Sequence, residues 1–377
     1  YTNGTNNFAK SNAYDYGIIR SALLFPVTYG PNMSTIESDQ LNWLASNPGV
    51  YVNTAKDQLK SNMIFTSSYA SVKILPNLTF RQNFGFGYTN NNRNTYYNRN
   101  TQEGRTPRNG MGGQSDNWYQ NLTAESILTY DRTFKQDHNL NAVAGFTYER
   151  ADYGGKSMSA TNFPNDITGE FNMQTALNPE ALISNRGQTA MVSLLGRANY
   201  SYKGKYIATA SIRRDGSSRL TVGQQFSNFL SGALAWRMSD EQFIKDLNFF
   251  NDLKLRVSYG QTGNQGVNAY QTKAVLGVAN YPINGSLNSG FAEVDWRGAL
   301  NPNLKWEVTD QFNAGVDMAF LNNRIQLTVD AYYKKTNGLL QNIPIGSDVG
   351  FKNMWINSTG NVTNKGLEIT GKFAAIN

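Results

Sequence analysis

The stretch LNNRIQLTVDAYYKKT, Leu321 to Thr336, decides how this chain folds. From Ile325 onward every second residue is apolar or aromatic: Ile325, Leu327, Val329, Ala331, Tyr333. Between them stand Gln326, Thr328, Asp330, Tyr332 and Lys334. Side chains of an extended chain alternate between two faces, so a period of two predicts a β-strand with one oily and one wet face. The fold then depends on where the oily face goes.

Composition narrows the choice. The chain has 377 residues, of which 40% are hydrophobic, 16% charged and 12% aromatic. An ordinary soluble chain carries about 25% charged residues. The deficit here is filled by Asn, Ser, Thr, Gln, Gly and Tyr rather than by aliphatics. No apolar run approaches the roughly 18 residues of a membrane helix, which excludes helical spans and leaves strand spans of about 9–11 alternating residues open. Cysteine is absent, which removes disulfides, thiolate nucleophiles and thiolate metal sites. The net charge is +7, with the basic residues scattered singly and paired only at Arg213–Arg214 and Lys334–Lys335. That pattern describes a solvated polar surface and argues against nucleic acid as a partner. The start, YTNGTNNFAK, has neither an initiator Met nor a signal-peptide pattern, so the expectation is a processed chain or an internal fragment.

The alternation recurs. Leu78, Phe80, Phe84, Phe86 and Tyr88 oppose Thr79, Arg81, Asn83 and Gly85; Leu253, Leu255, Val257 and Tyr259 oppose Lys254, Arg256 and Ser258; Phe312, Ala314, Val316, Met318 and Phe320 oppose Asn313, Gly315 and Asp317. About twelve such segments are predicted, near 18–25, 62–72, 78–88, 118–130, 139–149, 190–202, 205–214, 228–238, 253–260, 310–320, 324–335 and 366–373. Their connections alternate in length. Short ones fall at Leu75–Asn77, Asp131–His138, Lys203–Gly204, Ser239–Asp252 and Leu321–Asn323, and long polar ones at 26–61, 89–117, 150–189, 215–227, 261–309 and 336–365. A soluble sandwich has no reason to collect its long loops at one end. An outer-membrane barrel does, with short periplasmic turns and long extracellular loops. Tyr200, Tyr202 and Tyr206 flank a tight turn, as an interfacial aromatic girdle would. The fold class expected is therefore all-β, an antiparallel transmembrane barrel, with the oily face on lipid and the wet face on a water-filled interior. Candidate lumen-facing groups are Arg81, Arg197, Arg213, Arg256, Asp317 and Asp330.

Chemistry finds little footing. The single histidine, His138, falls in a short turn, away from any serine on a barrel wall. No His or Cys cluster offers a metal site, no catalytic residue is assigned and no cofactor is implied. RNGMGGQ (108–114) and GQTGNQG (260–266) lack the Lys-Ser/Thr ending of a phosphate loop and read as flexible loops. Asp166, Glu170 and Asp348 lack EF-hand spacing. Tyr96, Tyr97, Tyr281, Trp296 and Trp355, placed in long loops, are candidate contacts for a substrate or a lid, because a flat ring matches a sugar or peptide face; packing among loops is the competing use.

The second half of the chain resembles the SusC-like TonB-dependent outer-membrane transporters of the Bacteroidota. The runs that carry the resemblance are GRANYSYKGKYIATASIRRDGSSRL (196–220), FLSGALAWRMSDEQFIK (229–245), DLKLRVSYGQTGNQG (252–266), NPNLKWEVTDQFNAGVDMAF (301–320), NRIQLTVDAYYKKTNGLL (323–340) and NVTNKGLEI (361–369), with 117–149 a looser match. The family's Phe-Pro-Ser step reads Phe229-Leu230-Ser231 here. The resemblance implies a barrel of about 22 strands plugged by an N-terminal domain. It also implies a TonB box, a SusD-like surface lipoprotein as lid, and an oligosaccharide or peptide as cargo. Residues 1–377 would then be the middle of the barrel, with the plug, the TonB box and the last strands lying elsewhere. Competing readings are a passive porin, a structural or secretion-assembly barrel and a soluble β-protein.

Overall fold

The computed structural model describes residues 2–6, 22–23, 48–101, 103–105, 107–273, 276–283, 286–293, 298–346, 351 and 353–374. Strands β1 (Thr2–Asn6), β2 (Lys56–Leu75), β3 (Leu78–Tyr97), β4 (Met111–Phe134), β5 (His138–Thr161), β6 (Asn178–Tyr202), β7 (Tyr206–Ser217), β8 (Phe226–Arg237) and β9 (Phe250–Asn264) follow one another, with helix α1 (Pro48–Thr54) after β1 and a short helix α2 (Gln242–Lys245) after β8. Then come β10 (Leu276–Ile283), β11 (Ser286–Glu293), β12 (Glu307–Phe320), β13 (Ile325–Asn337), β14 (Leu340–Pro344), β15 (Asn353–Asn357) and β16 (Asn361–Phe373). One sheet of twelve strands has the order β1 to β9, β12, β13, β16; β10–β11 and β14–β15 are separate hairpins within two of the long connections. The chain forms two compact units, residues 1–67, 85–122 and 151–188, and residues 68–84, 123–150 and 189–377.

Three expectations need correction. The strand expected at 18–25 falls outside the described residues except for Ala22 and Leu23, which are helical. The long connections are shorter than expected, because β3, β4, β5 and β6 run well past the alternating segments. At roughly 3.3 Å per residue the 24 residues of β4 extend about 80 Å, far beyond the roughly 25 Å apolar band of an outer-membrane barrel even when tilted. Above that band water lies on both faces, the apolar–polar period has no cause, and the strand is invisible to it. The glycine-rich stretches are not loops throughout either: Met111–Gln114 opens β4 and Gly260–Asn264 closes β9.

In the second unit the register gathers the alternating residues into rows. Val316 lies opposite Val329 and Leu255, and Val329 opposite Ile369. Ala314, Val257, Leu234, Ala208 and Tyr200 make the next apolar row. On the other face Asp317 lies opposite Thr328 and Lys254, and Gly315 opposite Asp330 and Arg256. The apolar face covers no core: Leu234, Leu367 and Ile369 are each at least 64% exposed. Among the described residues, the two clusters of buried aliphatic and aromatic side chains lie at the long-loop ends, one around Leu220, Phe229, Val267, Leu304 and Trp306 and another around Tyr96, Ala160 and Phe163, while Ile244, Leu253 and Ala319 are buried beside the short connections.

The Leu230 position shows how local this register is. Leu230 pairs with Ile212 on one side, while β8–β9 pairing begins only at Ser231. Its amide donates to the Gln261 side chain at 3.3 Å instead of to the ladder. A proline would lose only that bond, so Leu230→Pro is expected to cost under about 1 kcal/mol, against about 3 kcal/mol or more for Ala233→Pro in the paired interior. Urea unfolding of both variants in lipid vesicles measures the difference.

Candidate functional site

The polar face of the sheet carries one connected charge cluster. Arg256, on β9, donates from Nη2 to Asp330 Oδ2 on β13 at 2.8 Å and from Nε to Asp317 Oδ2 on β12 at 3.1 Å. Thr328 Oγ1 donates to Asp317 Oδ1 at 3.1 Å, and Lys254 Nζ lies 4.0 Å from Asp317 Oδ2. A single guanidinium thus ties three adjacent strands together through its planar fork. The space for it comes from Gly315: a Cβ there would stand 2.3 Å from Asp330 Oδ1 and 2.9 Å from Arg256 Cζ. Both atoms are side-chain ends and can move, so Gly315→Val is expected to open the cluster at about 1–2 kcal/mol. In an Asp330→Ala background the same change should cost measurably less, because the two sites share a partner.

The other basic candidates stand apart. Arg213 pairs with Asp215 at 2.7 Å and donates to Ser193 Oγ at 3.0 Å, toward the long-loop end. Arg197 lies opposite Ser211, on the same face as Arg213. Arg81 is exposed, its guanidinium 4.1 Å over the Tyr69 ring and its Nε 2.7 Å from Asn83 Oδ1. Only Arg256, Asp317 and Asp330 meet.

At the long-loop end of the second unit, one tryptophan that the sequence does not advertise organises the connections. Trp306 packs edge-on against Phe229 at 5.5 Å, and its Nε1 donates to the Gln225 carbonyl at 2.8 Å. Gly263 makes the room, since a Cβ would meet Phe229 Cζ at 2.2 Å. Asn301 donates to the Trp355 carbonyl, and Asn357 to the carbonyls of Lys305 and Gly338, each at 2.9 Å. Three connections, β7–β8, β9–β12 and β13–β16, are bound into one rim by these contacts.

The aromatic loop candidates divide. Tyr96 and Tyr97 are corrected in place and in exposure: they end β3 and are 2% and 8% exposed. Tyr96 lies edge-on to Phe163 at 5.4 Å and donates to Asp166 Oδ1 at 2.7 Å, while Arg99 holds the other oxygen at 3.0 Å. Burial first, then neighbouring acids, raises both phenols, Tyr97 to about 12, so they stay protonated. Tyr281 lies on β10, and Trp296 is outside the described residues. Trp355, on β15, is half-buried beside the Trp306 cluster. Asp348 is outside the described residues, Asp166 is held by Arg99 and Tyr96, and Glu170 is buried with Lys56 3.9 Å away. No group of His, Asp and Glu able to hold a metal occurs among the described residues.

His138 opens β5 at the short-turn end. Its Nδ1 is 2.6 Å from the Tyr200 hydroxyl and its ring 4.7 Å from the Tyr202 ring. Tyr202, Tyr206 and Trp236 continue the row, stacked at 6.3 Å intervals.

Residues 1–376 match the family described as TonB dependent receptor-like, beta-barrel. Among curated relatives, TonB-dependent receptor P39 of Formosa agariphila is 37% identical over 84% of this chain, and TonB-dependent receptor P3 of the same organism is 32% identical over 86%. TonB-dependent receptor SusC of Bacteroides thetaiotaomicron is 37% identical over 48% of the chain. The chain spans 30% of the length of the first of these and 32% of the second. Among solved structures, one described as the RagAB peptide transporter aligns with a TM-score of 0.76 and 23% identity over 87% of this chain and 35% of that one. This likeness shows a shared barrel fold. Register, exposed apolar rows and sequence match agree: the chain is a barrel segment that belongs to the TonB-dependent receptor family of outer-membrane proteins, a family of receptors and transporters and not of enzymes.

Proposed function

We propose that this chain is the wall of an importer that brings a large nutrient, an oligosaccharide or a peptide, across the outer membrane of a Bacteroidota-type bacterium. The apolar rows face lipid. The polar face, with Arg81, Arg197, Arg213 and the Arg256–Asp317–Asp330 cluster, faces a hydrated interior, where charged groups remain solvated. The short connections are periplasmic turns. The long ones, with Tyr281, Trp296 and Trp355, stand outside the cell and receive a SusD-like lipoprotein and its cargo. A plug elsewhere in the whole protein closes the lumen, and TonB displaces it.

The observation that supports this most is the inverted sheet: aliphatic rows lie in register yet exposed, and ion pairs lie on the opposite face. A water-filled side can hold an Arg–Asp cluster at little cost, whereas a dry interior would penalise it by several kcal/mol per ion. The test is uptake by cells producing the whole protein, supplied with labelled oligosaccharides or peptides. Accumulation should require TonB and the inner-membrane proton gradient. Uptake indifferent to both would mean a passive pore and would sink the proposal.

A further inference from the structure

One short connection differs from the others. The turns between β2 and β3, β4 and β5, β6 and β7, and β12 and β13 hold two to four residues, but β8 and β9 are joined by Met238–Phe249, which contains α2. Phe243, Leu247 and Phe249 are exposed by 57%, 60% and 62%. Ile244 is buried, so the segment has a seated side and an open apolar side.

Its contacts fix which way it leans. The Phe243 ring lies 6.5 Å from Trp236, and the Phe249 ring 5.1 Å from Phe320 and 4.9 Å from Phe250. Trp236 shares its row with Tyr206 and Leu255, and Phe320 follows Val316 and Met318 on the apolar face. Glu241 holds the segment there by accepting from the Tyr206 hydroxyl at 2.7 Å, Lys205 Nζ at 3.2 Å and Trp236 Nε1 at 3.3 Å. Those bonds, Tyr206 foremost, keep its carboxyl below the ordinary range. Directly above, Tyr200, Tyr206, Leu234, Trp236, Leu255 and Val257 line an apolar groove of about 770 Å³ on the same face. At its lower end Lys205 pairs with Glu241 at 3.2 Å, Arg237 with Asp240 at 3.8 Å, and Lys203 lies 5.3 Å over the Tyr202 ring.

We infer that Met238–Phe249 lies in the headgroup layer of the periplasmic leaflet, with Phe243, Leu247 and Phe249 inserted among phospholipid chains as an anchor. The inference rests on the lipid-facing assignment proposed above. Its occupant follows from continuity with the apolar face. The open side chains extend the apolar face without a break, and amphipathic rings beside them suit the zone between water and hydrocarbon. A segment meant to stay in the aqueous periplasm would leave three large apolar side chains in water.

This chain has no cysteine of its own, so single-cysteine labels report from it once any cysteine elsewhere in the whole protein is replaced by serine; the test uses that protein in phosphatidylethanolamine/phosphatidylglycerol vesicles. Single Phe243→Cys and Leu247→Cys variants carry an NBD label, with Leu234→Cys on the strand face and Val222→Cys at the loop end as references. The labels at 243 and 247 should emit at shorter wavelength than that at 222, be quenched several-fold more by lipids bearing a nitroxide near the headgroup, and resist aqueous iodide. Leu247→Cys keeps the test alive should the Phe243 change disturb packing on Trp236. Quenching at 234 but water-like emission at 243 and 247 would overturn this inference alone. Shielded emission that nitroxide lipids do not quench would also overturn it, because the segment would then rest on protein. Failure at 234 itself would sink the facing assignment first.

Discussion

Val329→Arg is expected to lower the stability of the barrel by about 2–4 kcal/mol, whereas Thr328→Arg, one residue earlier, stays within about 1 kcal/mol of the parent. The two positions are neighbours on β13 but belong to different solvents. Val329 sits between Val316 and Ile369, with Leu255 beyond, so an arginine there is placed in the middle of the apolar row. Thr328 sits between Asp317 and Thr370 on the polar face and donates to Asp317 Oδ1. An arginine there loses one hydroxyl bond but gains an acid at contact distance, in water. Urea unfolding of the whole protein in lipid vesicles separates the cases. Equal loss at both positions would mean that the two faces share one environment, and the assignment of lipid to one of them would be wrong.

That contrast also marks what the sequence reveals. Where two different solvents bathe a strand, each residue records which one it meets, and the period of two in β13, β12 and β9 is that record. The same alternation places Arg256, Asp317 and Asp330 on one face, and the structure brings both acids to within 3.2 Å of the Arg256 guanidinium. The spacing cannot show that a bare Gly315 makes the opening, because that depends on register across three strands.

Legibility fails where the solvents become alike. The outer halves of β3 to β6 run through sequence such as NNNRNTYY (90–97), polar on both sides, and hold their shape through ladder hydrogen bonds that any residue except proline supplies. Tyr96 and Tyr97 were candidates for contact with cargo because exposed aromatic rings in loops suit it. Instead they support their own surroundings, Tyr96 through Phe163 and Asp166. Nothing in local spacing distinguishes a ring that reaches out from one that folds back. The β10–β11 and β14–β15 hairpins were hidden in the same way.

Trp306→Ala is expected to cost the long-loop rim about 3–5 kcal/mol of local stability, the usual penalty for emptying a buried tryptophan site. The loss has three sources: the ring's contact with Phe229, the packing of Leu220, Val267 and Leu304 around it, and the bond from Nε1 to the Gln225 carbonyl. Trp306→Phe retains most of the apolar volume and removes one of the two donors to the Gln225 carbonyl, which keeps the Ser217 amide at 3.1 Å, for about 1 kcal/mol. Hydrogen exchange over residues 218–225, 265–273 and 338–346 should accelerate strongly in the alanine variant and modestly in the phenylalanine variant. Exchange in the lower halves of β9, β12 and β13 should not change. The separation follows from the two kinds of support in the molecule. The wall is held by strand pairing and by lipid on its apolar face, neither of which passes through Trp306. The rim is a small aqueous core that must bury its own side chains. If exchange accelerates down the whole length of those strands, rim and wall unfold as one unit, and the loops cannot then be treated as a platform that varies independently of the barrel beneath them.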